Sequence, residues 1–285
     1  MKVNQKPPFL NFRTVILFVF IPLTIGILIS AMIPVPKIGI IELKEPIDNT
    51  SSWRIVNQIQ YALKHPEIRG IVFLIDSPGG TINDTELIFL ELNYLREKKP
   101  VVSMVEGLSA SGAYYVSMAT DYIYSNPSAM VGNVGVIGQL PPVPMVLEET
   151  YSTGPYKLWG TPRDTYVRQI DMMKRTFLEA VKLSRGDRLD ISIERISRGE
   201  IYPASQALNF GLVDALGSQS EAIQKTADFA KVANYQTVNL GIAVMQKYDN
   251  AVGFYSLDDE GNITGLPREP GLYYLYIPDF MGGNR

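Results

Sequence analysis

Two runs in the first half of the chain limit its fold more than any other feature. GIVFLID, Gly70 to Asp76, and VVSMVEG, Val101 to Gly107, are almost unbroken apolar segments rich in β-branched residues. A strand with one wet face alternates apolar and polar residues. A continuous run of this length reads as a strand covered on both faces, as in a parallel sheet flanked by helices. Between the two runs, Asp84 to Lys98 places Ile88, Leu92 and Leu95 at helical spacing. Before them come a short apolar strand, Ile38 to Leu43, and a helical pattern over Ser52 to Lys64 with Trp53, Val56, Ile59 and Leu63. Strand, helix, strand, helix, strand predicts βαβ units and a mostly parallel α/β sheet. Further strands are expected at Asp121 to Ser125 and Met130 to Ile137. Helices are expected at Asp164 to Ser184, Pro203 to Phe210 with Gly211 as its C-cap, and Ser218 to Lys231. From about Val238 the chain turns polar and turn-rich, and it reads as an extension rather than a second domain.

The N-terminus carries a different signal. Val15 to Ile33, VILFVFIPLTIGILISAMI, contains no charge. As a helix it would rise ~28 Å, close to the ~30 Å of a bilayer's hydrocarbon core. Lys2, Lys6 and Arg13 precede it and only Lys37 and Lys44 follow closely. That bias predicts a single-pass anchor with a cytoplasmic N-terminus and an extracytoplasmic domain. A cleaved secretory signal and a buried core helix are the rival readings. The length of the run and the lack of a small-x-small site favour the anchor. The expected organisation is therefore 1–14 cytoplasmic, 15–34 transmembrane, 35–237 catalytic or binding domain, and 238–285 extension.

Composition removes several kinds of chemistry. There is no cysteine, so a thiol nucleophile and a Cys-based zinc site are excluded. The net charge of −3 gives no basic surplus of the kind that binds nucleic acid, so none is expected as a partner. The one histidine, His65 in YALKHPEI, reads as a surface residue at a helix C-terminus. A hydrolase built on this chain must use something other than imidazole.

Open α/β sheets bind ligands beyond the carboxyl ends of their strands. Two turns lie there: DSPGG, Asp76 to Gly80, and EGLSASGAYY, Glu106 to Tyr115. The second places Ser111 just before a helix expected over Gly112 to Thr120. The free N–H groups and dipole of that helix start could receive an oxyanion. Gly79 and Gly80 would let another backbone N–H approach from the neighbouring turn. Each turn alone reads as ordinary close packing. Their pairing on successive strands is more specific.

LIDSPGG, GLSASGAYYVSMATDYIYSNPSAMVGNVGVIG, YSTGPYKLWGTP and GEIYPASQALNFGLVDALG, in this order, resemble the blocks of signal peptide peptidases of the SppA type, peptidase family S49 in its short form, within the ClpP/crotonase superfamily. The resemblance runs from about Ile38 to Ala230. It implies a ClpP/crotonase-like fold of repeated ββα/βαβ units preceded by one transmembrane helix. It implies Ser111 as nucleophile, Lys157 as general base, and the backbone N–H groups of Gly80 and Gly112 as oxyanion donors. No metal or organic cofactor is implied. Two departures stand out: Ala113 where the family commonly has a second glycine, and Asn133 where a serine helps hold the lysine amine.

A lysine base must be neutral to work. From a reference pKa of ~10.4 this requires a shift of roughly three units, about 4 kcal/mol, which burial can supply. Tyr156, Leu158 and Trp159 flank Lys157 and would build an apolar wall around it. The resemblance further implies homo-oligomers whose active sites are shared between subunits, acting on remnant signal peptides and other short unfolded or membrane-associated peptides, with small or apolar side chains preferred at the cleavage site. The competing readings are a non-catalytic membrane scaffold on the same fold, a membrane Ser-Lys protease that partners stomatin-like proteins, an acyl-CoA enzyme of the crotonase type, and a Ser-His-Asp protease. The last lacks any histidine after Ser111.

Overall fold

The computed structural model describes residues 16–32, 34–140, 152–157, 160–249, 256–257 and 263–265. Its first unit, to Gly241, is built on strands β1 (Lys37–Leu43), β2 (Ile68–Ser77) and β3 (Val101–Ala110), paired in parallel. Helices α2 (Asn49–Lys64) and α3 (Ile82–Arg96) connect them, following an N-terminal helix α1 (Ile21–Met32). Ile71, Phe73 and Ile75 of β2 pack into one core with Ile55 and Ile59 of α2 and Ile88 and Leu92 of α3. Val72 and Leu74 face the opposite side. There they meet Ala222 and Ala227 of a later helix, α8 (Gln219–Ala230). All five β2 residues are 0–1% exposed, so the unbroken apolar run is the signature of a strand covered on both faces.

β3 changes partner midway. Its first half pairs with β4 (Tyr122–Ser125) and its second half with β5 (Met130–Gly132), both in parallel. β5 pairs antiparallel with β6 (Ile201–Pro203), and β4 pairs with β7 (Ala215–Leu216). The short helix α4 (Gly112–Ser117) follows β3, and the long helix α5 (Arg163–Arg185) follows β5. α5 places Phe177 and Val181 in a second core with Tyr114, Tyr202 and Leu212. Two further short helices are α6 (Ile193–Ile196) and α7 (Ala204–Asn209). The sheet is mixed α/β, parallel except at β5–β6.

Several boundaries differ from expectation for identifiable reasons. β5 stops at Gly132 rather than Ile137, because Gly132 (φ 121°) and Asn133 (φ 55°) leave the extended region. The expected boundary at 237 falls inside a strand, β8 (Gln236–Asn239), which pairs with β1. Leu240, the first residue of α9 (Leu240–Asp249), is fully buried. The second unit, 242–285, contains the antiparallel pair β9 (Ser256–Leu257) and β10 (Ile263–Gly265).

Within the 15–34 segment expected as an anchor, the described residues form a π-helical turn over Ile16–Phe20 followed by α1. Pro22 has no N–H for the carbonyl four residues back, and a widened turn just before it accommodates that loss. Val15 and Ile33 lie outside the described residues. Among the described residues no helix is long and apolar enough to cross a membrane.

One buried charge network ties the second half together. Arg185, 2% exposed, donates from Nη1 and Nη2 to the two carboxylate oxygens of Asp214 at 2.9 and 2.8 Å, and from Nε to the Gly211 carbonyl at 2.7 Å. Asp214 also accepts from the backbone N–H of Ile123 on β4 and from Arg188. Burial pushes the Asp214 carboxyl up, but these donors outweigh it and hold the carboxyl below its ordinary pKa.

Candidate active site

Ser111 sits between the end of β3 and the start of α4 with φ 53° and ψ −123°. A residue with a Cβ holds such a conformation only where its surroundings impose it, at a cost of order 1–3 kcal/mol. Here two backbone bonds impose it. Ser111 N–H donates to the Gly132 carbonyl at 3.0 Å, and Tyr115 N–H donates to the Ser111 carbonyl at 2.9 Å. The serine side chain makes no capping bond to α4. From the far side, fully buried Tyr114 donates its hydroxyl to the Leu212 carbonyl at 2.9 Å. The serine turn is thereby tied to the segment that holds Asp214.

The DSPGG turn packs directly on this elbow. Ser77, fully buried, donates its hydroxyl to the Glu45 carbonyl at 2.6 Å and accepts from Gly79 N–H at 3.2 Å. Gly79 has φ 87°, and a Cβ there would come within 2.5 Å of the Gly112 nitrogen and 2.8 Å of the Ala110 carbonyl. Only glycine satisfies both the angle and the space. The bridge between Ile47 and Gly80 is made through the Gly79 carbonyl and the Thr81 N–H. Gly80's own N–H is left out of that bridge. Gly112 is the first residue of α4, so its N–H has no acceptor within the helix. A Cβ on Gly112 would lie 3.3 Å from the Gly80 nitrogen, so the backbones of the two glycines meet closely beside Ser111.

A cavity of about 410 Å³ opens at this point. Ser111, Gly80, Gly112 and Asn133 all line it, so four of the five residues expected to form the site come together. Asn133 donates its Nδ2 to the Gly199 carbonyl at 2.8 Å, which leaves the amide oxygen as its remaining acceptor. Lys157 is the fifth. It lies exposed on the 152–157 loop, its N–H donating to the Gly154 carbonyl at 3.2 Å, and it is not among the residues lining the cavity. Of the apolar wall expected around it, Tyr156 is itself 43% exposed and does not enclose the lysine within the single chain. Leu158 and Trp159 lie outside the described residues.

Three features escaped the sequence reading. Glu86, on α3, lines the cavity. Tyr115 lines it too and packs against Phe89 and Phe177, with ring centroids 4.5 and 5.1 Å apart. Burial, and then the negative charge of Glu86, raise the pKa of the Tyr115 phenol. Thr85 is 5% exposed beneath Gly112, and its hydroxyl has no hydrogen-bond partner among the described residues. For Glu86 and Thr85 the signal was helical spacing around DTELIF, which fixes a face but not what that face meets, and Tyr115 closes the EGLSASGAYY turn without showing which rings it would meet.

Comparison with known proteins gives a consistent picture. A family model described as peptidase family S49 matches residues 93–233, and one described as Clp protease matches residues 30–131. A protein of Methanocaldococcus jannaschii, provisionally named a protease, is 31% identical over 202 residues, covering 66% of this chain and 64% of its own length. Protease 4 of Salmonella typhi is 30% identical over 211 residues, covering 69% of this chain and 34% of its own. A chloroplastic serine protease of Arabidopsis thaliana, SPPA, is 26% identical over 202 residues, covering 66% of this chain and 30% of its own. The chain thus spans less than two thirds of the length of each of these relatives.

Proposed function

The chain belongs to peptidase family S49, and from that premise we propose that it is a membrane-anchored serine endopeptidase working with a Ser111–Lys157 dyad. The observation that carries the reading is the strained Ser111 elbow at the head of a cavity, beside the N–H groups of Gly80 and Gly112. Neutral Lys157 takes the Ser111 hydroxyl proton as Oγ attacks a peptide carbonyl. The Gly80 and Gly112 N–H groups stabilise the oxyanion. The ammonium then returns the proton to the leaving amine, and water releases the acyl group.

Lys157 is exposed and outside its own chain's cavity, which favours a base supplied by a neighbouring copy and an active homo-oligomer. Packing against that copy would give the desolvation a lysine base needs. The exposed apolar side chains over 16–26, among them Leu17 and Phe18 at 57% and 71%, favour an anchor, with the domain on the extracytoplasmic side. Short unfolded or membrane-associated peptides, such as remnant signal peptides, are the substrates this arrangement suits.

The test is hydrolysis of unfolded peptides by the full chain in detergent. Lys157→Ala is expected to lower kcat by about 10³-fold or more with little change in thermal stability, as for loss of a general base. Gly79→Ala is expected to push the Gly112 N–H out of place and cost roughly 10²-fold in kcat. It should also destabilise the fold by about 1–2 kcal/mol, read from the melting temperature. Full activity in both variants would contradict the assignment.

A further inference from the structure

We infer that the cavity beside Ser111 takes a substrate side chain with an apolar stem and a cationic head, lysine or arginine, and that Glu86 selects it. This rests on the peptidase reading above and names a substrate feature within it.

The cavity has the profile such a side chain requires. Its walls are apolar where Ile82, Val136, Met173 and Phe177 line it. Tyr115 presents an aromatic ring held in place by Phe89 and Phe177. Glu86 is the one residue with a formal charge among the described residues lining the cavity. It makes no ion pair or hydrogen bond among the described residues. Its neighbours along α3, Ile82, Asn83, Phe89 and Leu90, bring no positive charge. Its field reaches Tyr115, whose proton it helps to retain. An aliphatic stem would cover apolar wall while an ammonium or guanidinium met both the carboxylate and the ring face. The volume of about 410 Å³ accommodates a long side chain. A purely apolar residue would bind the same walls but leave the carboxylate of Glu86, which is exposed, to water.

The experiment uses the full chain in detergent and matched unfolded peptides. Lysine or uncharged norleucine, of nearly the same shape, is placed in turn at each position flanking the cleaved bond. The wild type is expected to favour lysine about fivefold or more in kcat/KM at one position, with the preference shrinking as salt rises. Glu86→Gln should remove that preference, bringing kcat/KM for the lysine peptide to about that for the norleucine peptide. Glu86→Lys should favour glutamate at the same position. An equal lysine-to-norleucine ratio in wild type and Glu86→Gln would overturn the inference and leave the peptidase reading standing. So would an equal shift of the pH–rate profile for both peptides in Glu86→Gln, since that outcome places the carboxylate on the catalytic lysine of a neighbouring copy. A wild type that cleaves neither peptide contradicts the peptidase reading itself, and this inference with it.

Discussion

Ser111→Ala is expected to lower kcat for peptide hydrolysis by about 10³- to 10⁶-fold, with the melting temperature almost unchanged. The size follows from removing the nucleophile, while binding and the oxyanion donors leave only a residual rate. The unchanged stability follows from the geometry. The unusual backbone angles are fixed by bonds to Gly132 and from Tyr115 that involve no side-chain atom, and the hydroxyl makes no cap. A companion variant separates strain from chemistry. Ser111→Gly should be as inactive as alanine yet more stable by about 1 kcal/mol, because glycine relieves the cost of φ 53°. Kinetics paired with thermal melts check both. A Ser111→Ala protein that retains wild-type turnover would remove Ser111 from the mechanism.

The largest expected loss of stability lies elsewhere. Arg185→Met should destabilise the fold by about 3–5 kcal/mol, since it leaves the Asp214 carboxylate buried without its bidentate partner. At this chain length that corresponds to a melting temperature lower by roughly 8–15 °C. Arg185→Met combined with Asp214→Leu should recover part of the loss, because much of the penalty comes from a buried carboxylate left with only Arg188 and the Ile123 N–H as partners.

The pH dependence separates the proteins further. In the wild type the folded carboxyl titrates below its unfolded value. Its contribution is therefore present above about pH 4 and is lost as pH falls through the folded pKa. In Arg185→Met the largest lowering partner is gone while Arg188 and the Ile123 N–H remain, so the carboxyl titrates higher than in the wild type and protonation costs the variant less. The gap to wild type should narrow on acidification from neutral pH, as urea titrations at several pH values would show. A gap independent of pH would mean that the pair does not carry the energy assigned to it.

The sequence revealed those features that depend on local pattern. The β2 and β3 runs declared strands covered on both faces, and glycine-rich turns at their ends marked where a site must lie. The serine elbow was legible because small residues between a strand and a helix have few other purposes once a second such turn stands beside it. Long-range features were not legible. β8 is QTVN, with no apolar run, and becomes a strand only because the edge of β1 is there to pair with. Arg185 and Asp214 lie 29 residues apart, and neither residue alone suggests a buried pair. Glu86 lies on a helix whose spacing announces its buried face through Ile88 and Leu92, while the cavity it lines is closed by α5, far along the chain. Lys157 shows the same limit. Its position in GPYKLWGTP fits a base, but the spacing carries no sign of how it would reach Ser111, and it does not line the cavity of its own chain.

The dyad is tested most directly by mixing two dead proteins. Full-length Ser111→Ala and Lys157→Ala chains, each inactive alone, are co-assembled in detergent at equal amounts and assayed on one unfolded peptide. A serine from one chain and a lysine from its neighbour should rebuild part of the sites and return a sizeable fraction of wild-type activity. Mixed assemblies that form and stay inactive would contradict a dyad shared between chains.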